Sequence, residues 1–126
     1  MKHLAPVLLW SLLILVLSTL PGRTIPKVGF ELFVSWDKLA HAFVYAVLVM
    51  LAGKHLRFKG KFKGRNLVIA VLLSILYGVL MESIQHYFLS DRFFEIPDLI
   101  ANIIGSIVGA VFIYIKLNKT KNYEPV

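Results

Sequence analysis

The run Leu99–Ile115, LIANIIGSIVGAVFIYI, carries no charged side chain and is entered through Pro97-Asp98. A bilayer-crossing helix needs about 20 mostly apolar residues, with a tolerated range of about 17–25. This run meets that length, and three others resemble it. Leu4–Leu20 is uncharged, as are Leu39–Gly53 and Leu67–Met81. The third reaches span length by continuing through Glu82, Gln85 and His86 to Leu89. The second reaches it by starting near Asp37, with Lys54 snorkelling at its far end. Period-two alternation is absent, so the runs read as helices and not as barrel strands. The expectation is an all-α membrane protein, a single transmembrane domain over 1–126, with spans at about 4–21, 37–54, 67–89 and 97–116.

The rest of the chain agrees. Of 126 residues, 58% are hydrophobic and 17% charged, against roughly 45–50% and about 25% in ordinary soluble domains. A soluble fold this small has no core large enough for so much apolar surface. There are no cysteines, which excludes disulfides, thiolate metal sites and a cysteine nucleophile. The first run has a basic start, Met1-Lys2-His3, but no A-x-A-like exit before Pro21-Gly22, so it reads as a retained helix and not a signal peptide.

The net charge of +7 is unevenly placed. Lys54, Arg57, Lys59, Lys61, Lys63 and Arg65 crowd the link between the second and third runs. Lys116, Lys119 and Lys121 follow the fourth, and Lys2 precedes the first. Four spans put all ten on one side, leaving Arg23, Lys27, Lys38 and Arg92 on the other. The Lys/Arg bias sets orientation, so both termini and the basic link are expected to be cytoplasmic. The basic link reads as an anchor on anionic headgroups. No nucleic-acid partner is expected, because Gly60 and Gly64 interrupt the run and only Phe58 and Phe62 accompany it.

Polar residues gather at the opposite, outer ends of the spans. Asp37, His41 and Tyr45 are spaced by four and share a helix face, as do Asp98 and Asn102. Glu82 and Gln85 lie near the end of the third span. At a rise of about 1.5 Å per residue, these residues fall at comparable depths on three helices. Ionisable groups within spans cost about 2.5–3.5 kcal/mol on insertion scales and usually face the bundle or a wet cavity. A satisfied network that only fixes the helices is the alternative. Small-residue stripes, Ala70/Ser74/Gly78 and Ala101/Gly105/Gly109, suggest close packing of the third span on the fourth. His86 is expected at the interface. Glu82, His86, His41 and Asp98 are of metal-binding type but lack a metal motif, so no metal and no cofactor are expected.

Asp37-Lys38-x-x-His41-x-x-x-Tyr45 resembles the first motif of the VanZ-like family of small bacterial membrane proteins. Glu82-x-x-Gln85, Arg92 and Asp98-x-x-x-Asn102-x-x-Gly105-x-x-x-Gly109 resemble its second. Ser90-Asp91 stands where the family often has Pro-Gly before the arginine. The resemblance implies a multi-pass protein of the bacterial cytoplasmic membrane. The family takes its name from an accessory protein of low-level resistance to teicoplanin, a glycopeptide acting on cell-wall precursors.

Three functions follow as expectations. The polar cluster binds or remodels a lipid-linked envelope component or an anionic lipid headgroup, with membrane lipids or a lipid-linked cell-wall precursor as partner. Arg92 then grips the anion, and Lys38 and the amino ends of the second and fourth spans contribute positive charge. Alternatively the site is an enzyme's, with His41 as acid or base and Glu82 as its partner. Ser35 and Ser83 are the available hydroxyls. The third alternative is a purely structural subunit.

Overall fold

The computed structural model describes residues 3–20 and 36–121. Arg23, Lys27 and Ser35 lie outside the described residues. Four helices follow one another: α1 Ala5–Thr19, α2 Trp36–Phe58, α3 Gly64–Phe88 and α4 Ile96–Lys121. No strand occurs among the described residues. The three later helices are long and apolar enough to cross a membrane. The first is not. Its 15 residues rise only about 22 Å, short of a hydrocarbon core of about 30 Å. The all-α bundle of four helices thus consists of three helices of span length and, among the described residues, one shorter apolar helix packed beside them.

Helix ends depart from the apolar runs for a definite reason. Burial in lipid requires apolar side chains, whereas the backbone ladder continues until something caps it. The second helix therefore runs past Gly53 to Phe58 and stops at a Schellman turn. Gly60 takes the left-handed conformation, φ 65°. Its N–H donates to the Arg57 carbonyl at 3.0 Å, and the Lys61 N–H donates to the Leu56 carbonyl at 2.8 Å. Glycine enters this conformation without the penalty a Cβ brings. At the start of α4, Pro97 stands within the first turn, where its missing N–H would have no helical partner in any case.

The helices alternate in direction, so α2 and α4 run parallel and in contact. Their seam is lined by small residues. A Cβ on Gly105 would run into the backbone carbonyl of Ala42, and one on Gly109 into that of Ala46. Further along, Ile113 packs against Gly53. The fourth helix's Ala101/Gly105/Gly109 stripe thus faces α2, which corrects the expected pairing with α3. The neighbouring face of α4 meets α3. Asn102 lies against Gly78, and Ser74 and Ser106 are hydrogen-bonded at 2.9 Å. Ser106 donates to the Asn102 carbonyl at 2.8 Å, so the hydrogen between the two serines comes from Ser74. One i,i+4 stripe of α4 serves α2 and the adjacent one serves α3.

The short α1 is pinned from two sides. Trp10 Nε1 donates to the Val44 carbonyl at 2.8 Å, and the Tyr77 hydroxyl donates to the Ser11 carbonyl at 2.7 Å. Ile14 packs with Tyr45, Leu48 and Met81. A second core of Val49, Leu67 and Ile113 joins α2, α3 and α4 toward the basic link. His3 stacks on Phe58 with ring centroids 3.8 Å apart, at that same end. The exterior is apolar, and polar side chains are held inside beside the apolar cores. Leu9 and Leu76 are largely exposed, whereas Glu82, Asn102 and Ser106 are 0% exposed. That inversion suits a lipid surround, where apolar surface carries no penalty and polar groups must pair inside.

Candidate functional site

The polar residues meet where α2 and α4 begin and α3 ends. Asp37, Lys38 and His41 occupy the first turns of α2. Asp98 and Asn102 occupy those of α4, and Glu82 sits within the last turns of α3. Lys38 lies at the centre of the outer half. Its Nζ contacts Asp98 Oδ1, Glu95 Oε2 at 2.9 Å and Asp37 Oδ2 at 3.5 Å. Lys38 is therefore engaged by carboxylates and holds α2 against α4.

His41 lies one turn deeper. Its Nδ1 is 3.0 Å from Asn102 Oδ1 and 4.0 Å from Glu82 Oε1. A carbonyl oxygen can only accept, so Nδ1 carries the hydrogen and donates to Asn102. The other nitrogen, Nε2, faces Asp98 Oδ2 at 3.6 Å and Asp37 Oδ1 at 3.8 Å. Glu82 Oε2 accepts from the Glu95 N–H at 3.4 Å, which ties the end of α3 to the residue just before α4.

Burial is graded. The Asp37 and Glu95 side chains form an open rim, 43% and 50% exposed, whereas Asp98, Glu82 and Asn102 are buried. Two deep atoms, Glu82 Oε1 and Asn102 Nδ2, have no hydrogen-bond partner.

Of the residues picked out by sequence, Asp37, Lys38, His41, Glu82, Asp98 and Asn102 come together. Tyr45 is buried one turn below His41, but it packs with the apolar cluster of Ile14, Leu48 and Met81 and its hydroxyl is unpartnered. Gln85 is buried one turn beyond Glu82 and takes no part in the hydrogen bonds that join the cluster. Arg92 is half-buried in the α3–α4 link, its Nε without a partner, and it forms no ion pair with the cluster. His86 is exposed and meets the ring of Tyr87 edge-on at 5.0 Å. Ser83 donates to the Val79 carbonyl of its own helix at 2.8 Å, so it is not presented to His41. Glu95 was missed. It lies in the link just before α4, where no helical spacing ties it to Asp98.

The sequence model of the VanZ/LLP1 family matches residues 4–117. The chain belongs to the VanZ/LLP1 family. No curated protein and no solved structure matches it. The match spans all four helices, so this VanZ/LLP1 protein carries its polar cluster inside the family's own domain and not on an appendage.

Proposed function

We infer that this protein binds the polar part of a membrane lipid, or of a lipid-linked envelope component, at the non-cytoplasmic face of the bacterial cytoplasmic membrane. The observation that carries the reading is the pair of buried, unpartnered atoms beside His41. Glu82 Oε1 is an acceptor and Asn102 Nδ2 a donor. A network that served only to hold helices gains nothing from such groups, since each buried unsatisfied polar atom costs about 1–3 kcal/mol. A ligand hydroxyl would satisfy both, donating to Glu82 Oε1 and accepting from Asn102 Nδ2. Arg92 is the proposed anion contact, because its Nε is likewise buried and unpartnered and its guanidinium can grip a phosphate in bidentate fashion. The exposed rim of Asp37 and Glu95 supplies an entrance. The basic α2–α3 link, at the far end of the bundle, favours the cytoplasmic side under the positive-inside rule. A protein holding a cell-wall precursor in this leaflet would stand where teicoplanin-type glycopeptides act.

Native mass spectrometry of the purified protein tests the reading. A defined lipid mass adduct is expected on the wild type, weakened in Arg92→Lys and weaker still in Arg92→Ala, with folding unchanged. Absence of any defined adduct, or full retention in Arg92→Ala and in Asn102→Ala, overturns it.

A further inference from the structure

We propose that Asp37, His41 and Asp98 form a binding site for a divalent first-row metal cation. The geometry divides each aspartate in two. Lys38 Nζ contacts Asp98 Oδ1 and Asp37 Oδ2. The other two oxygens, Asp98 Oδ2 and Asp37 Oδ1, face His41 Nε2 at 3.6 and 3.8 Å. These separations are too long for direct hydrogen bonds. They approach the spacing of atoms that share one cation, since ligand bonds of about 2.0–2.2 Å place neighbouring ligands roughly 3–3.5 Å apart. All three ligand atoms lie within 4.8 Å of one another, a gap closed by small side-chain rotations.

The histidine is prepared for the role. Its Nδ1–H is held by Asn102 Oδ1 at 3.0 Å, and Asn102 is 0% exposed. In the neutral ring that bond fixes the tautomer whose Nε2 lone pair points between two carboxylate oxygens. Two anions and a lone pair aimed at one another repel unless a cation lies between them. A ligating histidine with its remote N–H anchored to a buried acceptor is the usual supporting arrangement of metal sites.

Charge balance points the same way from an independent direction. Asp37, Glu95 and Asp98 converge on Lys38, the one ammonium they meet among the described residues, and Glu82 lies behind them across the His41 ring. Glu82 is 0% exposed, and its Oε1 has no partner and lies 4.0 Å from the His41 ring. Uncompensated buried carboxylates at a membrane boundary call for added positive charge. One nitrogen and two carboxylates suit Mn²⁺, Fe²⁺ or Zn²⁺ better than the all-oxygen preference of Ca²⁺. The half-exposed Asp37 gives the ion a path in from water. A bound cation would also let this acid-rich pocket accept a phosphate oxygen. That last step rests on the lipid reading above; the metal site does not.

The test is Mn²⁺ titration of the full chain in uncharged detergent, followed by electron paramagnetic resonance. One saturable site per chain is expected, with nitrogen coupling from the imidazole. Asp37→Asn, at a position exposed enough to spare the fold, should weaken binding by at least about tenfold. Asp98→Asn should do so as well. Asp91→Asn, an exposed acid outside the cluster, should bind as the wild type does. His41→Gln should abolish the nitrogen coupling. Absence of saturable binding, absence of nitrogen coupling in the wild type, or equal affinity in Asp37→Asn and Asp98→Asn overturns the proposal. Native mass spectra of the same samples with and without chelator separate the two readings. A lipid adduct without Mn²⁺ binding overturns the metal site alone. Mn²⁺ binding without an adduct supports the metal site and counts against the lipid.

Discussion

His41 of α2 and Asn102 of α4 meet side chain to side chain, Nδ1 to Oδ1, at 3.0 Å. The contact joins two helices that the sequence separates by more than sixty residues, and it does so below a rim of ion pairs. Glu82 reaches the same imidazole from α3. Asn102 and Glu82 are thus linked through a shared partner, although no hydrogen bond joins them directly. Asn102→Ala and Glu82→Ala should each lower the thermal unfolding midpoint in detergent. Their combined loss should differ from the sum by about 0.5–3 kcal/mol, as for residues in one network. Strict additivity would show that His41 does not couple them.

The α2–α4 seam makes a sharper mechanical prediction. Gly105 and Gly109 sit against the backbone carbonyls of Ala42 and Ala46 with no room for a methyl group. Gly105→Ala and Gly109→Ala should force the helices apart and destabilise the protein by about 1–3 kcal/mol each, as overpacking does. Gly64→Ala is the control. Nothing lies within 4 Å of that position, and alanine is the better helix former, so stability should hold or rise. Equal stability of all three variants in detergent melts would overturn the close-packed seam.

What the sequence revealed follows from which forces act locally. Apolar runs record burial in lipid, so the existence and order of the helices were legible. Fourfold spacing records a helix face, so Asp37 with His41 and Asp98 with Asn102 were legible as pairs. Helix ends were not, because α2 continues to Phe58 under backbone hydrogen bonding long after its apolar run stops. The partner of the Gly105/Gly109 stripe was not legible either. A small residue says that something approaches closely and does not say what. Glu95 escaped notice because it reads as a loop residue in isolation. Only the fold brings Lys38 to it, 57 residues away in the chain.

Among the described residues Lys38 is the one ammonium that the carboxylates of Asp37, Glu95 and Asp98 share, so its removal should be felt throughout the cluster. In Lys38→Met, Asp98 keeps its burial and loses its cation. Breaking one partner of a largely buried pair costs about 3–5 kcal/mol. With the Lys38 side chain 23% exposed, a loss of about 2–3 kcal/mol is the expected outcome in detergent melts. Asp98→Asn in the Lys38→Met background should recover part of it, because the orphaned charge is then gone. A Lys38→Met variant as stable as the wild type would mean that the ion pairs contribute nothing to holding α2 against α4.

The orientation of the bundle decides which leaflet the cluster faces, and the chain is well suited to the measurement because it contains no native cysteine. Ser90 lies exposed in the link after α3, at the end of the bundle that carries the cluster, and Lys59 lies exposed in the basic link at the other end. Ten of the fourteen lysines and arginines belong to that basic end by sequence, and such an excess resists translocation. Ser90→Cys should therefore react with an impermeant maleimide on intact cells, and Lys59→Cys only after permeabilisation. Both substitutions sit on solvent-facing links, so neither disturbs the helix contacts. The opposite labelling pattern would turn the cluster toward the cytoplasm, and the ligand would then have to be sought in the inner leaflet. Labelling of both positions from outside would show that Ser90 and Lys59 share a face, and would contradict the membrane crossing by α3.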